Sequence, residues 1–131
     1  MKWSRTTSKK PKQPNPFPGR WRIVSMSAWD QEFVGEEEEG YFEFDSKNEG
    51  QFHFGYVHGQ MDYRLTTRDG EPAVEWTWAG NDEMDSAQGR GWAIVKNEQL
   101  HGMIFFHNGD DSEFVAKKKG LLASKSKKPK K

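Results

Sequence analysis

Between residues 19 and 118 apolar positions alternate with polar ones, and nowhere recur at the three- and four-residue spacing of an amphipathic helix. Turn-forming residues interrupt the alternation roughly every 8–12 residues, as in an all-β sandwich or barrel. The pattern predicts eight strands, over residues 20–27, 39–45, 51–57, 60–68, 72–79, 89–95, 98–107 and 110–118. Breaks fall at Lys47-Asn48-Glu49-Gly50, His58-Gly59, Asp69-Gly70, Asn97-Glu98 and Asn108-Gly109, with longer connections over 28–38 and 80–88. Pro72 stands at a strand start, where its missing N–H is tolerated.

Two-residue turns fix registers that can be compared. A turn at His58-Gly59 sets Tyr56 opposite Met61, Phe54 opposite Tyr63 and Phe52 opposite Leu65. A turn at Asp69-Gly70 sets Leu65 opposite Val74, Tyr63 opposite Trp76 and Met61 opposite Trp78. Both place the Met61/Tyr63/Leu65 face against apolar partners, giving a meander with one aromatic face. Phe42, Phe44, Trp21 and Ile23 continue that face. An even strand count with short hairpins lets the last strand pair antiparallel with the first, so the expected fold is an eight-stranded up-and-down barrel spanning 19–118.

The last three strands leave a fork. Two-residue turns at Asn97-Glu98 and Asn108-Gly109 put Arg90, Trp92, Ile94, His101, Met103, Phe105, Ser112 and Phe114 on the inner face. Arg90, His101 and Ser112 would then be polar anchors in an aromatic lumen with Trp21, Tyr63, Trp76, Trp78 and Trp92, a ligand pocket. Val95, Leu100, Ile104, Phe106 and Val115 would form an outer patch suited to a homodimer interface. Three-residue loops instead pair Trp92 with Ile104, Ile104 with Phe114 and Phe106 with Ser112. The interior is then apolar and the histidines face water. Asn-Gly favours the first register.

Composition sharpens this picture. The chain has 131 residues with 20 basic and 20 acidic side chains and no cysteine, which excludes disulfides, cysteine metal sites and thiol nucleophiles. The zero net charge is a cancellation: residues 1–18 and 117–131 carry thirteen positive charges and no acid, while 19–116 hold all 20 acids and seven basic residues. Two Lys- and Pro-bearing tails, 1–18 and 119–131, are expected to be disordered. They offer weak contact to nucleic acid, from which the acidic body would be repelled. Nothing approaches the ~18 apolar residues of a spanning helix, so a cytoplasmic protein without a membrane partner is expected.

The sequence Gly19-Arg20-Trp21 opening the first strand resembles the Gly-x-Trp start of the calycins, the lipocalin, fatty-acid-binding and avidin barrels. That resemblance implies a Trp21 packed across the barrel floor and a small ligand, often apolar, in the lumen. Lipocalins cover this Trp with an Arg, which strands 7 and 8 lack. The segments Ala28-Trp29-Asp30, Gly89-Arg90-Gly91-Trp92-Ala93 and His107-Asn108-Gly109-Asp110-Asp111-Ser112 resemble a small bacterial domain of uncharacterised role.

Other chemistry is sparse. On the outer face of the meander, Arg64 is expected opposite Glu75 and His53, with Asp62 beside Thr77: either a polar site for an anionic ligand or ordinary cross-strand charge pairing. Asn81-Asp82-Glu83-Met84-Asp85 begins like a calcium loop, but Ser86 and Trp92 stand where Gly and Glu are required. With Trp29, Asp30, Glu32 and Phe33 of the 28–38 connection it could form a lid. Glu36-Glu37-Glu38-Glu39 reads as a solvated run. His101 and His107 are ~20 Å apart along a strand, and His53 and His58 have opposite parity, so no metal or cofactor site is expected. No nucleophile or phosphate motif is present. The reading is a non-enzymatic small-molecule-binding barrel, with a protein-interaction module or a tail-borne nucleic-acid contact as alternatives.

Overall fold

The computed structural model describes residues 15–119. Their strands are β1 Gly19–Met26, β2 Tyr41–Phe44, β3 Glu49–Phe54, β4 Val57–Arg68, β5 Glu71–Asp82, β6 Asp85–Lys96, β7 Gln99–Phe106 and β8 Asp111–Lys118, with one short helix, α1 Gln31–Val34. Each strand pairs with the next, and β8 returns to β1, closing the expected antiparallel barrel. A bulge between Ile23 and Ser25 marks the β1–β8 seam. The masses of tail sequence before residue 15 and after 119 lie outside the described residues. Phe17, grouped with the tail in the sequence reading, is fully buried, its ring 6.1 Å from that of Phe44.

Turn chemistry explains the hairpins that fall where expected. Asp69 and Gly70 have φ of 52° and 82°, and Asn97 and Glu98 have 54° and 66°, the paired positive φ of a type I′ turn. They set Tyr63 opposite Trp76 and Met61 opposite Trp78, and Trp92 opposite Met103 and Ile94 opposite His101, as the alternation predicts.

Three connections differ. The β3–β4 turn lies at Gly55-Tyr56, with Gly55 at φ 58°. His58 and Gly59 therefore belong to β4, and Phe52 faces Gly59 while Met61 faces Gly50. Bulky inward side chains thus lie over glycines; a Cβ on Gly59 would sit 2.4 Å from the Phe52 ring. The expected 80–88 loop is a tight β5–β6 hairpin whose tip is Glu83-Met84. The β7–β8 connection holds four residues, 107–110, and pairs Ile104 with Ser112 and Gly102 with Phe114.

The barrel therefore keeps the two-residue β6–β7 turn, while its β7–β8 register matches neither alternative and shares with the longer loop only which side chains face inward. Ser112 and Phe114 remain inside, but alongside Leu100 and Ile104, both fully buried. Arg90, Trp92 and His101 lie on the outer wall instead. The expected outer apolar patch is lost for the same reason: Val95 and Phe106 pack against the core, and of its members Val115 stays outside beside His101.

The lumen is filled by aromatic rings. Phe42 lies 4.3 Å from Phe114, 5.4 Å from Phe52 and 5.7 Å from Trp76, and Phe44 lies 5.1 Å from Tyr63. All are at most 3% exposed, and rings at such separations are in contact. The inner face of β6 is thin, Gly89, Gly91 and Ala93, because the indoles of Trp76 and Trp78 lie across it; a Cβ on Gly91 would meet Trp76 at 2.5 Å. One end is stoppered by the 27–40 connection. Trp29 packs 5.1 Å from Phe54 and 5.9 Å from Phe106, and Asp30 caps α1 by accepting from the Phe33 N–H at 2.9 Å.

The other end is closed by Trp21. Its Nε1–H donates to the Phe17 carbonyl at 2.8 Å, and the Lys118 ammonium lies 4.5 Å from its ring centroid. A lysine of β8 thus occupies the place over the floor tryptophan where no arginine is available. Burial holds the Lys118 pKa below its ordinary value, and its Nζ donates to the Pro16 carbonyl at 3.2 Å.

Candidate functional site on the outer wall

With the lumen filled, the hollows of the described surface lie outside it. Two adjoin on the outer wall of β4, β5, β6 and β7, sharing Asp62, Thr77, Arg90 and Phe105 along one cross-strand row. One has about 890 Å³ and extends toward Gln60, Gln88 and Asn108. The other has about 480 Å³ and is lined by Arg64, Arg68, Glu75 and Trp92. Both volumes fall in the range of small-molecule sites.

The strand period places these groups. Asp62, Arg64, Thr66 and Arg68 alternate outward along β4, and the β4–β5 register sets Arg64 opposite Glu75 and Asp62 opposite Thr77. The β5–β6 register continues each row, Glu75 to Trp92 and Thr77 to Arg90. Two guanidiniums rest on aromatic rings: Arg68 Cζ is 3.7 Å from the Trp92 centroid, and Arg90 Cζ is 4.5 Å from that of Phe105. Stacking leaves the edge of a guanidinium, which carries its N–H donors, directed away from the ring. Among the described residues no carboxylate lies within ion-pair distance of Arg64, Arg68 or Arg90, in contrast to Arg20, paired with Glu43 at 2.9 Å. That pair holds the Glu43 carboxyl below the ordinary carboxylate range, chiefly through the Arg20 hydrogen bond.

The residues singled out by sequence therefore divide. Asp62, Arg64, Glu75, Arg90 and Trp92 meet in the outer groove, with Trp76 and Trp78 beneath it. Trp21 closes the floor. Tyr63 is buried in the lumen, its hydroxyl donating to the Asp45 carbonyl, and burial raises its pKa. His101 sits apart on the outer wall. Ser112 is a structural pin: its Oγ accepts from the Ala28 N–H at 3.1 Å and donates to the Glu113 carbonyl at 2.9 Å.

His53 leaves the polar cluster altogether. With the turn at Gly55-Tyr56 its partner is His58, not Arg64. It is 2% exposed, covered by Glu37 and Glu38. The sequence reading overlooked Arg68 and Phe105 as groove residues. Arg68 shares strand parity with Arg64 and could have been included on that ground; Phe105 depended on the β7 face, which the loop length reversed.

No family model, curated protein or solved structure matches the chain. Among the described residues no helix is long and apolar enough to cross a membrane.

Proposed function

We propose that the chain is a non-enzymatic binding protein of calycin-like architecture that takes a small, flat, anionic molecule on the outer wall of β4–β7. The observation that carries this reading is the convergence of Arg64, Arg68 and Arg90 on one hollow, two of them stacked on Trp92 and Phe105 and none in an ion pair with a described carboxylate. The stacked guanidiniums would receive a carboxylate or phosphate through paired N–H donors. Trp92 and Phe105 supply apolar surface for a flat body, and Asp62, Glu75 and Thr77 can accept from polar substituents. The filled lumen favours this face over the interior. The calycin-like assignment draws on the closed antiparallel barrel, the Gly19-x-Trp21 opening and the cation over Trp21.

The test is calorimetric titration of the full chain at low salt with benzoate and 2-naphthoate, against benzylamine as the cationic counterpart. Saturable binding of the naphthoate, absent for the amine and weakened at least tenfold in Arg68→Ala/Arg90→Ala, is expected. Equal binding in the double variant, or none of either anion, would overturn it.

A further inference from the structure

Farther along the outer face of β4, beyond Gln60, the β3–β4 hairpin brings His53 and His58 face to face. They are a direct cross-strand pair, their rings 4.0 Å apart and 15° from parallel. The connection leading into β2 lays Glu37 over both. Glu37 Oε1 is 3.1 Å from His53 Nε2 and 3.4 Å from His58 Nε2, and one donor atom from each of the three residues lies within 4.8 Å of the others. We infer that Glu37, His53 and His58 form a binding site for a divalent transition-metal cation of the zinc type.

The distances suit such an ion. Bonds of about 2.0–2.1 Å to nitrogen and oxygen in tetrahedral geometry set ligand atoms about 3.3 Å apart, close to the two separations from Glu37 Oε1. Imidazole and carboxylate together favour zinc and its first-row neighbours over calcium or magnesium, which take oxygen. The other side of the His53 ring is also arranged for ligation. Its Nδ1 lies 2.8 Å from Glu38 Oε2, and a carboxylate there accepts a hydrogen bond from Nδ1–H and so turns Nε2 toward the ion.

Every partner of His53 is an acceptor: Glu38 at Nδ1, and Glu37 and the Gly55 carbonyl, 3.0 Å away, at Nε2. A cation at Nε2 takes the place of the contacts that nitrogen makes to Glu37 and the Gly55 carbonyl. His58 and Glu37 are 51% and 44% exposed. An ion held by the three would therefore keep its fourth position toward solvent, free for water or an exogenous ligand.

The experiment is titration of the tag-free full chain with Zn²⁺ by calorimetry and with Co²⁺ by visible absorption. One equivalent should bind, with the intense bands of tetrahedral cobalt. His58→Ala and Glu37→Gln, both at exposed positions, should each weaken binding at least about tenfold. Glu38→Gln should do so by about 10–100-fold. His101→Ala and His107→Ala, the two remaining histidines, should leave binding unchanged. Absence of a one-equivalent site, or its survival in both His58→Ala and Glu37→Gln, would overturn the assignment. Naphthoate binding in the same variants reports on the outer groove independently.

Discussion

Replacing Gly59 by alanine measures how completely the lumen is filled. Gly59 faces Phe52 across the β3–β4 ladder, and its φ is outside the left-handed region, so an alanine meets no backbone strain. Restricting the unfolded chain would by itself stabilise the variant by about 0.4–1 kcal/mol. The added methyl, however, would lie 2.4 Å from Phe52 Cε2 and Cζ and 3.0 Å from Trp78 Cε3. Phe52 cannot swing clear: it is 1% exposed, with ring centroids of Phe42, Phe54 and Trp78 at 5.4, 5.8 and 5.0 Å. Overpacking costs about 1–3 kcal/mol. The net loss is then about 1–2 kcal/mol, or roughly 5–10 °C in Tm for a domain of this size. Scanning calorimetry would read the Tm and urea melts the free energy. Because the penalty acts through one ring, Phe52→Leu should cost less in the Gly59→Ala background than alone, a coupling of about 0.5–3 kcal/mol. Additive effects, or a Gly59→Ala variant as stable as its parent, would refute a filled lumen at this position.

Other consequences are open to the same melts. Trp76→Phe should cost about 1 kcal/mol less than Trp78→Phe, because Trp76 Nε1 is buried without an acceptor while Trp78 Nε1 donates to the Phe105 carbonyl at 3.2 Å; an equal cost would contradict it. Lys118 is held below its ordinary pKa of 10.5 by burial, so the unfolded chain binds more protons between the lowered value and 10.5. Stability should therefore rise with pH across that window, and Lys118→Met should remove the rise. Glu43 has the opposite linkage, its lowered pKa giving stability present above 4.5 and lost as pH falls through the lowered value. Both partners are more than a third exposed, so Arg20→Ala should cost no more than about 1 kcal/mol at neutral pH, and the difference should vanish at the acid end. Asp30→Ala should speed amide exchange at Phe33, whose N–H the Asp30 carboxylate accepts, without an equal effect in β5.

How far the sequence could be read depended on what fixes each connection. Asp69-Gly70 and Asn97-Glu98 combine turn-forming residues with strict alternation on both sides, and the registers they imply are those observed. Asn108-Gly109 carries the strongest local hairpin signal, yet it sits in the four-residue connection 107–110, where Asn108 alone takes positive φ, 58°. Local preference yields here because a two-residue turn would have turned Leu100 and Ile104 to solvent and Arg90 and His101 into a lumen already occupied by indoles. A single residue of loop length reverses a face. That reversal removed the interior pocket and moved Arg90 and Trp92 to the outer groove beside Asp62, Arg64 and Glu75, which the well-determined β4–β5 hairpin had already placed there.

The β3–β4 hairpin shows the same dependence from the other side. A glycine marks a turn when the backbone needs positive φ, but it marks a strand interior when a large ring needs the space of a side chain, and the two roles look alike in sequence. Gly55 fills the first role and Gly59 the second. Reading them the other way round gives His53 to Arg64 and leaves His58 at a turn; reading them as they stand makes the two histidines neighbours under Glu37 and Glu38. The Glu36–Glu39 run then ceases to be merely solvated, since two of its carboxylates meet the nitrogens of a buried ring. Like charges crowded into four residues repel one another, so a cation among them stabilises the arrangement. A metal ion held by Glu37, His53 and His58 supplies that cation, which is why the acidic run and the histidine pair are read as one site.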